Sequence, residues 1–214
     1  TSWNDIWSYP GYKERDILPG DYKYEDWNGD GEINGQDEHP FAFDQTPWLQ
    51  FSLNAGLQWK NLDFNMLLQG SALGSMEYKE PLHEIWGKNG GGALTQFLDR
   101  WHPVDPKADP YDPSTVWTSG HYAYTGRWAK NNSAFNRVST AYLRLKSIEL
   151  GYTFPKLKQI PNASLRIYAN AYNLLTFTGV KFVDPEHPDD DLGRMYPLNK
   201  TYTLGVSLSF VPED

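Results

Sequence analysis

The sequence predicts an all-β fold, a long antiparallel meander, and three observations predict it. Aromatic residues make up 15% of the 214 residues, beside 18 Gly and 15 Pro, a balance that favours strands and turns over helical bundles. Several stretches alternate apolar and polar residues with period two over ten or more positions. The connections between these stretches are alternately short and long. Strands of this length exceed the usual about five to six residues and match the roughly 9–11 that a tilted strand needs to cross a bilayer. Short turns at one end and long loops at the other is the arrangement of an outer-membrane barrel. A soluble β-sandwich also alternates apolar and polar residues, and the pattern alone leaves both architectures open.

The elements follow in chain order. Residues 20–46 read as a loop. In "WLQFSLNAGLQW", Leu49, Phe51, Leu53, Ala55 and Leu57 oppose Gln50, Ser52, Asn54 and Gln58. Lys60-Asn61 sits where a tight hairpin turn belongs. "LDFNMLLQGSA" then resumes with Leu62, Phe64, Met66 and Leu68 on one face. The long segment 74–139 holds one short helix, within "GGGALTQFLDRWHP", followed by the irregular Pro- and Asp-rich "VDPKADPYDPSTVWTSG". "AYLRLKSIELGYTF" has its apolar phase on Leu143 and Leu145, then on Ile148, Leu150 and Tyr152, a slip that a β-bulge near Lys146-Ser147 produces. "SLRIYANAYNLLTF" sets Leu165, Ile167, Ala169 and Ala171 against Arg166, Tyr168, Asn170 and Tyr172. After a further long connection, 179–197, "LNKTYTLGVSLSF" alternates Leu198, Tyr202, Leu204, Val206, Leu208 and Phe210 with small or polar residues, Lys200 interrupting the apolar side. Aromatics at strand ends, among them Trp48, Trp59, Phe154, Phe177 and Phe210, suit interfacial girdles.

Composition closes off several function classes. The absence of Cys excludes disulfides, thiolate metal sites and a cysteine nucleophile. A formal net charge of -8 argues against a nucleic-acid partner, which requires clustered Lys and Arg. No apolar run reaches the roughly 18 residues of a transmembrane helix, and the N-terminal "TSWNDIWSYPGY" has no signal-peptide pattern. There is no Gly-x-Ser-x-Gly elbow, phosphate loop or dinucleotide fingerprint, so the sequence reads as non-enzymatic. A glycoside hydrolase would need two carboxyls about 5–10 Å apart in a cleft.

"LPGDYKYEDWNGDGEINGQDE", "PWLQFSLNAGLQWKNLDFNMLLQGS", "FLDRWHP", "STAYLRLKSIELGYTFP", "LRIYANAYNLLTFTG", "DPE" and "YPLNKTYTLGVSLSF" together resemble the C-terminal part of the SusC/RagA-like TonB-dependent transporters of Bacteroidetes outer membranes. The resemblance covers nearly the whole chain. It implies the last strands of a 22-stranded transmembrane β-barrel, with the plug and the N-terminal strands absent from residues 1–214. It also implies the partners: the remaining strands and plug of the same barrel, the lipid bilayer, a SusD-like surface lipoprotein, an oligosaccharide or peptide solute, and TonB only through the absent plug. With the last strand ending at the periplasm, 179–197, 74–139 and 20–46 all fall on the extracellular side.

Two groups of residues carry candidate binding chemistry. In "EDWNGDGEINGQDE", residues 25–38, the side chains of Asp26, Asn28 and Asp30, the carbonyl of Glu32 and the twelfth-position Asp37 supply hard oxygen ligands at a spacing that suits Ca²⁺. Gly31 permits the turn and Ile33 packs inward. Asp37 stands where an EF-hand carries Glu, and no flanking helices are evident. Placed before the first strand, such a loop is a brace more than an active centre. The aromatics Trp86, Trp101, Trp117, Tyr122, Tyr124 and Trp128 crowd the longest loop. They offer faces on which a solute stacks, although a loop of that length also needs apolar anchors of its own. "DPEHPDDD", residues 184–191, reads as a solvated loop tip rather than a second cation site. The competing reading for the whole chain is a soluble calcium-dependent β-sandwich that binds carbohydrate. It requires two sheets that bury each other's apolar faces, whereas a barrel leaves one continuous apolar band bare.

Overall fold

In the computed structural model the described residues are 3–10, 17–83, 93–124, 133–155, 162–188 and 193–210. They form a short helix α1 (Trp3–Ser8) and nine strands: β1 (Leu49–Trp59), β2 (Leu62–Ala72), β3 (Ser75–Glu77), β4 (His102–Pro103), β5 (Trp117–Thr118), β6 (Arg137–Ser139), β7 (Tyr142–Phe154), β8 (Ala163–Thr178) and β9 (Thr201–Phe210). Two compact units divide the chain.

The unit of 43–76, 138–190 and 194–214 contains one antiparallel sheet of five long strands in the order β1-β2-β7-β8-β9. Each long strand pairs with the long strand before it, so this is a meander, and its two long connections leave from the end at which the chain enters β1. The β1–β2 register runs without interruption from Leu49↔Ala72 to Trp59↔Leu62. Lys60 at φ 54° closes that hairpin in two residues. The phase slip in β7 is a bulge: Lys146 has no partner across from β2, whose Leu67 and Leu68 pair with Ser147 and Leu145. Toward β8 the ladder shifts again, from Leu145↔Leu175 to Ser147↔Tyr172.

Alternation then assigns the faces. Leu49, Phe51, Leu53, Leu57, Leu150, Ile167, Leu204, Val206 and Phe210 stand on one face and are exposed, Leu204 at 77% and Phe210 at 65%. Gln50, Ser52, Asp63, Gln69, Arg144, Glu149, Arg166, Asn170 and Thr203 stand on the other. Two glycines sit under cross-strand rings. A Cβ on Gly70 would meet the Phe51 ring at 2.4 Å, and one on Gly205 would meet the Tyr168 ring at 2.2 Å. Both positions therefore need a residue without a side chain. Among the described residues no second sheet covers the apolar face. The described residues thus lack the mutually buried sheets that the soluble sandwich requires.

One strand boundary differs from the sequence expectation. The last strand begins at Thr201, not at Leu198. Its ladder with β8 ends at Tyr172↔Thr201 because the next β8 residue, Asn173, is left-handed at φ 53°. The Asn173 side-chain amide donates to the Asn199 carbonyl at 3.0 Å instead. Lys200 therefore lies outside the strand and off its apolar side.

The other unit, 1–42, 77–137 and 191–193, is built from long connections. Its expected short helix is only a 3-10 turn, Thr95–Leu98, with no side-chain cap at Leu94. The turn stops because the Asp99 carbonyl accepts the His121 and Tyr122 N–H groups, each at 3.0 Å, and turns the chain toward Tyr122. Leu18, Leu82, Phe97 and Ala123 are buried here, Phe97 to 1% exposure. Helix α1 was not read from the sequence, although Trp3, Ile6 and Trp7 have helical spacing.

Candidate functional site

The polar face of the sheet carries two charged networks. Near the two-residue hairpin, the Arg166 guanidinium bonds to the carboxylates of Asp63 and Glu149, reaching Glu149 at 2.7 Å and Asp63 through both Nε and Nη2. Gly151 lies beneath this pair, and a Cβ there would meet Arg166 Nη2 at 2.5 Å. The missing side chain on β7 is what lets Arg166 of β8 reach across to Asp63 of β2.

The second network lies toward the long-connection end. Arg144 on β7 is 2% exposed. Its Nε donates to Thr176 Oγ1 at 2.9 Å, and its Nη2 donates to both Asp184 oxygens, at 2.8 and 2.9 Å. Its Nη1 lies 2.8 Å from Glu186 Oε1. Because Lys146 is the bulge residue, it shares this face, and its ammonium donates to both Glu186 oxygens, at 2.9 and 2.7 Å. The Gln45 amide donates to the Pro188 carbonyl at 2.8 Å. Within the segment, Asp184 Oδ1 accepts the Glu186 N–H at 2.9 Å and the Asp184 carbonyl accepts the His187 N–H at 3.0 Å. Residues 180–188 thus form a strap whose carboxylates at 184 and 186 are tied to the polar face and whose Pro188 end is held by Gln45.

The solvated loop tip expected at 184–191 is corrected by this geometry for its described part. Asp184 pairs with the buried Arg144, and Glu186 with Lys146, each across 40 residues of sequence. Residues 189–191 lie outside the described residues. Within the strap Phe182 has φ 71° and is 53% exposed. A bulky residue in that left-handed region is strained by about 1–3 kcal/mol.

The calcium-like loop folds around its carboxylates. Asp26 accepts the N–H groups of Gly29, Asp30 and Gly31, at 2.8, 3.2 and 2.8 Å. Asp30 accepts the Asn28 side-chain amide at 2.9 Å and the Glu32 N–H at 2.8 Å. Asp37 closes the loop, accepting the Trp27 N–H at 2.9 Å and the Asn34 N–H at 2.7 Å. Asn34 in turn caps the 3-10 turn Gly35–Asp37. Gly29 and Gly31 have φ of 74° and 82°, values that favour glycine. Ile33 is buried, while Asp30 and Glu32 are exposed. Hydrogen bonds tie Asn28 to Asp30 and Asp37, while Asp26 holds the backbone N–H groups of the turn. Among the described residues no three His, Asp or Glu side chains form a group that could hold a metal ion, so any ligand set here relies on Asn28 and a backbone carbonyl as well.

Of the loop aromatics, Trp86 and Trp128 lie outside the described residues. Tyr122 packs edge-on against Phe97 at 4.8 Å, and Trp117 against Tyr124 at 5.2 Å. Trp101 covers Gly20, where a Cβ would meet its ring at 2.1 Å. Trp101 and Trp117 also line an open cleft of about 530 Å³ with Trp3, Trp7, Pro19 and Thr115. Among the described residues no carboxylate lines it. Nearby, burial raises the Asp21 carboxyl to about 6, opposed by the Leu18 N–H that it accepts at 2.9 Å.

No family model matches the chain. It is 28% identical over 211 residues to TonB-dependent receptor P3 of Formosa agariphila, a match covering 91% of this chain and 19% of that protein. It is also 28% identical over 215 residues to TonB-dependent receptor P26 of the same organism, covering 94% and 20%. Among solved structures, the RagAB peptide transporter superposes with a TM-score of 0.64 at 23% identity, over 84% of this chain and 19% of that one. The RagAB peptide importer in its closed-closed state gives 0.61 at 22% identity, over 90% and 21%. The chain therefore spans about a fifth of the length of these relatives. The relatives are receptors and transporters by name, not enzymes. The resemblance read from the motifs is borne out, and the fold is that of a section of barrel.

Proposed function

We propose that this chain is the C-terminal barrel section of a TonB-dependent outer-membrane transporter importing oligosaccharides or peptides, with a SusD-like surface lipoprotein as its lid. One observation carries the reading: a single meander of long strands with one bare apolar face and one charged, hydrogen-bonded face. Water does not tolerate so large an apolar patch on a monomer, whereas hydrocarbon does. In this reading the apolar face meets lipid and the polar face lines the lumen. The outer edges of β1 and β9 pair with the rest of the barrel, since open edges recruit strands. The plug fills the lumen and alone meets TonB, and the segments 20–46, 74–139 and 179–197 face outward.

The finer assignments rest on named residues. Trp101 and Trp117, in the uncharged cleft, offer aromatic surfaces to the solute, while Tyr122 and Tyr124 serve packing as well. Asp26, Asn28, Asp30, the carbonyl of Glu32 and Asp37 hold Ca²⁺, which would cross-link the loop preceding β1. Fractionation of the source cells tests the whole reading. The intact protein is expected in the outer membrane, resisting alkaline carbonate and released by detergent, with a lipoprotein co-purifying. Recovery in the soluble fraction without detergent refutes it.

A further inference from the structure

We infer that the strap 180–188 is a fixed ledge in the transport passage and that it presents Phe182 to the passing solute. The inference rests on the transporter reading, which makes the polar face a lumen. The strap's carboxylates reach that face at Arg144 and Lys146, and its far end is held by Gln45. Arg144 is almost wholly enclosed, with Asp184, Glu186 and Thr176 around its guanidinium. Lifting the strap would strand a buried cation, a costly state, so the strap stays docked while solute moves past it.

Phe182, two residues before the clamped Asp184, has a left-handed conformation and is half exposed. Glycine or asparagine would adopt that backbone at less cost. An aromatic ring kept there against strain points to use of the ring, since strained residues concentrate at sites of function. The ring has no charge and takes an apolar face, either a peptide side chain or the C–H face of a sugar. Phe182 is thus a solute-contact residue, and Arg144 and Lys146 are positioning residues.

The test uses the intact transporter in its own cells, with yeast extract as a mixed source of peptides and oligosaccharides. Depletion of individual species is followed by mass spectrometry. Phe182→Ala, which keeps the backbone strain and loses the ring, is expected to raise half-saturation for the depleted species about tenfold with the maximal rate kept. Phe182→Gly, which also relieves the strain, is expected to do the same, and Phe182→Tyr to restore wild-type values. Arg144→Met releases the strap, so tryptic cleavage after Lys181 accelerates several-fold and half-saturation rises as in Phe182→Ala. Which species lose affinity separates peptide from sugar contact. Unchanged half-saturation in Phe182→Ala overturns this inference alone, as does loss of assembly in both Phe182→Ala and Phe182→Gly. A wild-type protein that depletes nothing refutes the transporter reading beneath it.

Discussion

The five-stranded sheet and the loop-built unit use the same apolar residue types in opposite ways. On the sheet, Leu53, Leu204, Val206 and Phe210 stand bare in a continuous band. In the loop unit, Leu18, Leu82 and Phe97 are enclosed by neighbours, with Tyr122 packed against Phe97. The loop unit solves the problem of an aqueous protein, hiding apolar surface inside itself. The sheet leaves it unsolved over a whole face, which is stable only where the surroundings are themselves apolar. Within one chain, the environment of each region is written in what it does with its leucines.

Substituting one exposed leucine in each region tests that contrast most strongly. Leu204 is 77% exposed in the middle of β9, and Leu98 is 84% exposed at the end of the 3-10 turn. Judged by exposure alone, Lys is tolerated equally at both. Leu204→Lys is expected to cost about 2–4 kcal/mol, the cost of a cation on the lipid face near the midplane, and Leu98→Lys within about 0.5 kcal/mol. Heat-modifiable folded protein in the outer membrane, measured by gel shift, reads both. Equal yields from the two variants would mean that the band does not face lipid.

The sheet was legible in the sequence because its information is local. Period two names a face, and the phase slip at Lys146-Ser147 names a bulge without any partner strand in view. The two-residue hairpin at Lys60-Asn61 is equally local. The strap was not legible, since Arg144 meets Asp184 across 40 residues, and "DPEHP" alone looks like any acidic loop. The start of β9 was missed for a related reason. Alternation continues through Leu198, but the ladder is ended by Asn173 on the neighbouring strand. The cleft was half legible: Trp101 and Trp117 were singled out, whereas Trp3 and Trp7 lie about a hundred residues away in sequence from both.

The second contrast concerns how the loop unit holds its shape. If Ca²⁺ occupies the loop of residues 26–37, part of that unit's order comes from an ion rather than from burial. At free Ca²⁺ about a hundredfold above the dissociation constant, the loop gains about 2.7 kcal/mol. Hydrogen exchange at Gly29, Asp30 and Gly31 should slow accordingly, and Tb³⁺ should luminesce through Trp27 in the same loop. Asp26→Asn combined with Asp30→Asn should abolish both effects. Exchange that ignores Ca²⁺ and chelator alike would show that the backbone-to-carboxylate bonds suffice.

The smallest effect probes whether the loop unit truly excludes water. Asp21, beside the buried Leu18, has a carboxyl raised to about 6 from an unfolded value of 3.8, chiefly by burial. An acid whose folded pKa is raised binds more protons folded than unfolded between those values. Its contribution to stability is therefore fullest below about pH 4 and is lost as pH rises through 6. Partial solvation limits the change to about 1–2 kcal/mol, less than the full shift would give at about 1.4 kcal/mol per pH unit. Asp21→Asn keeps an acceptor for the Leu18 N–H and has no charge to bury. Local stability around Leu18, read by hydrogen exchange from pH 4 to 7, should fall in the wild type and stay level in the variant. Parallel profiles would place Asp21 in contact with water, and with it the edge of the core that distinguishes this unit from the bare face of the sheet.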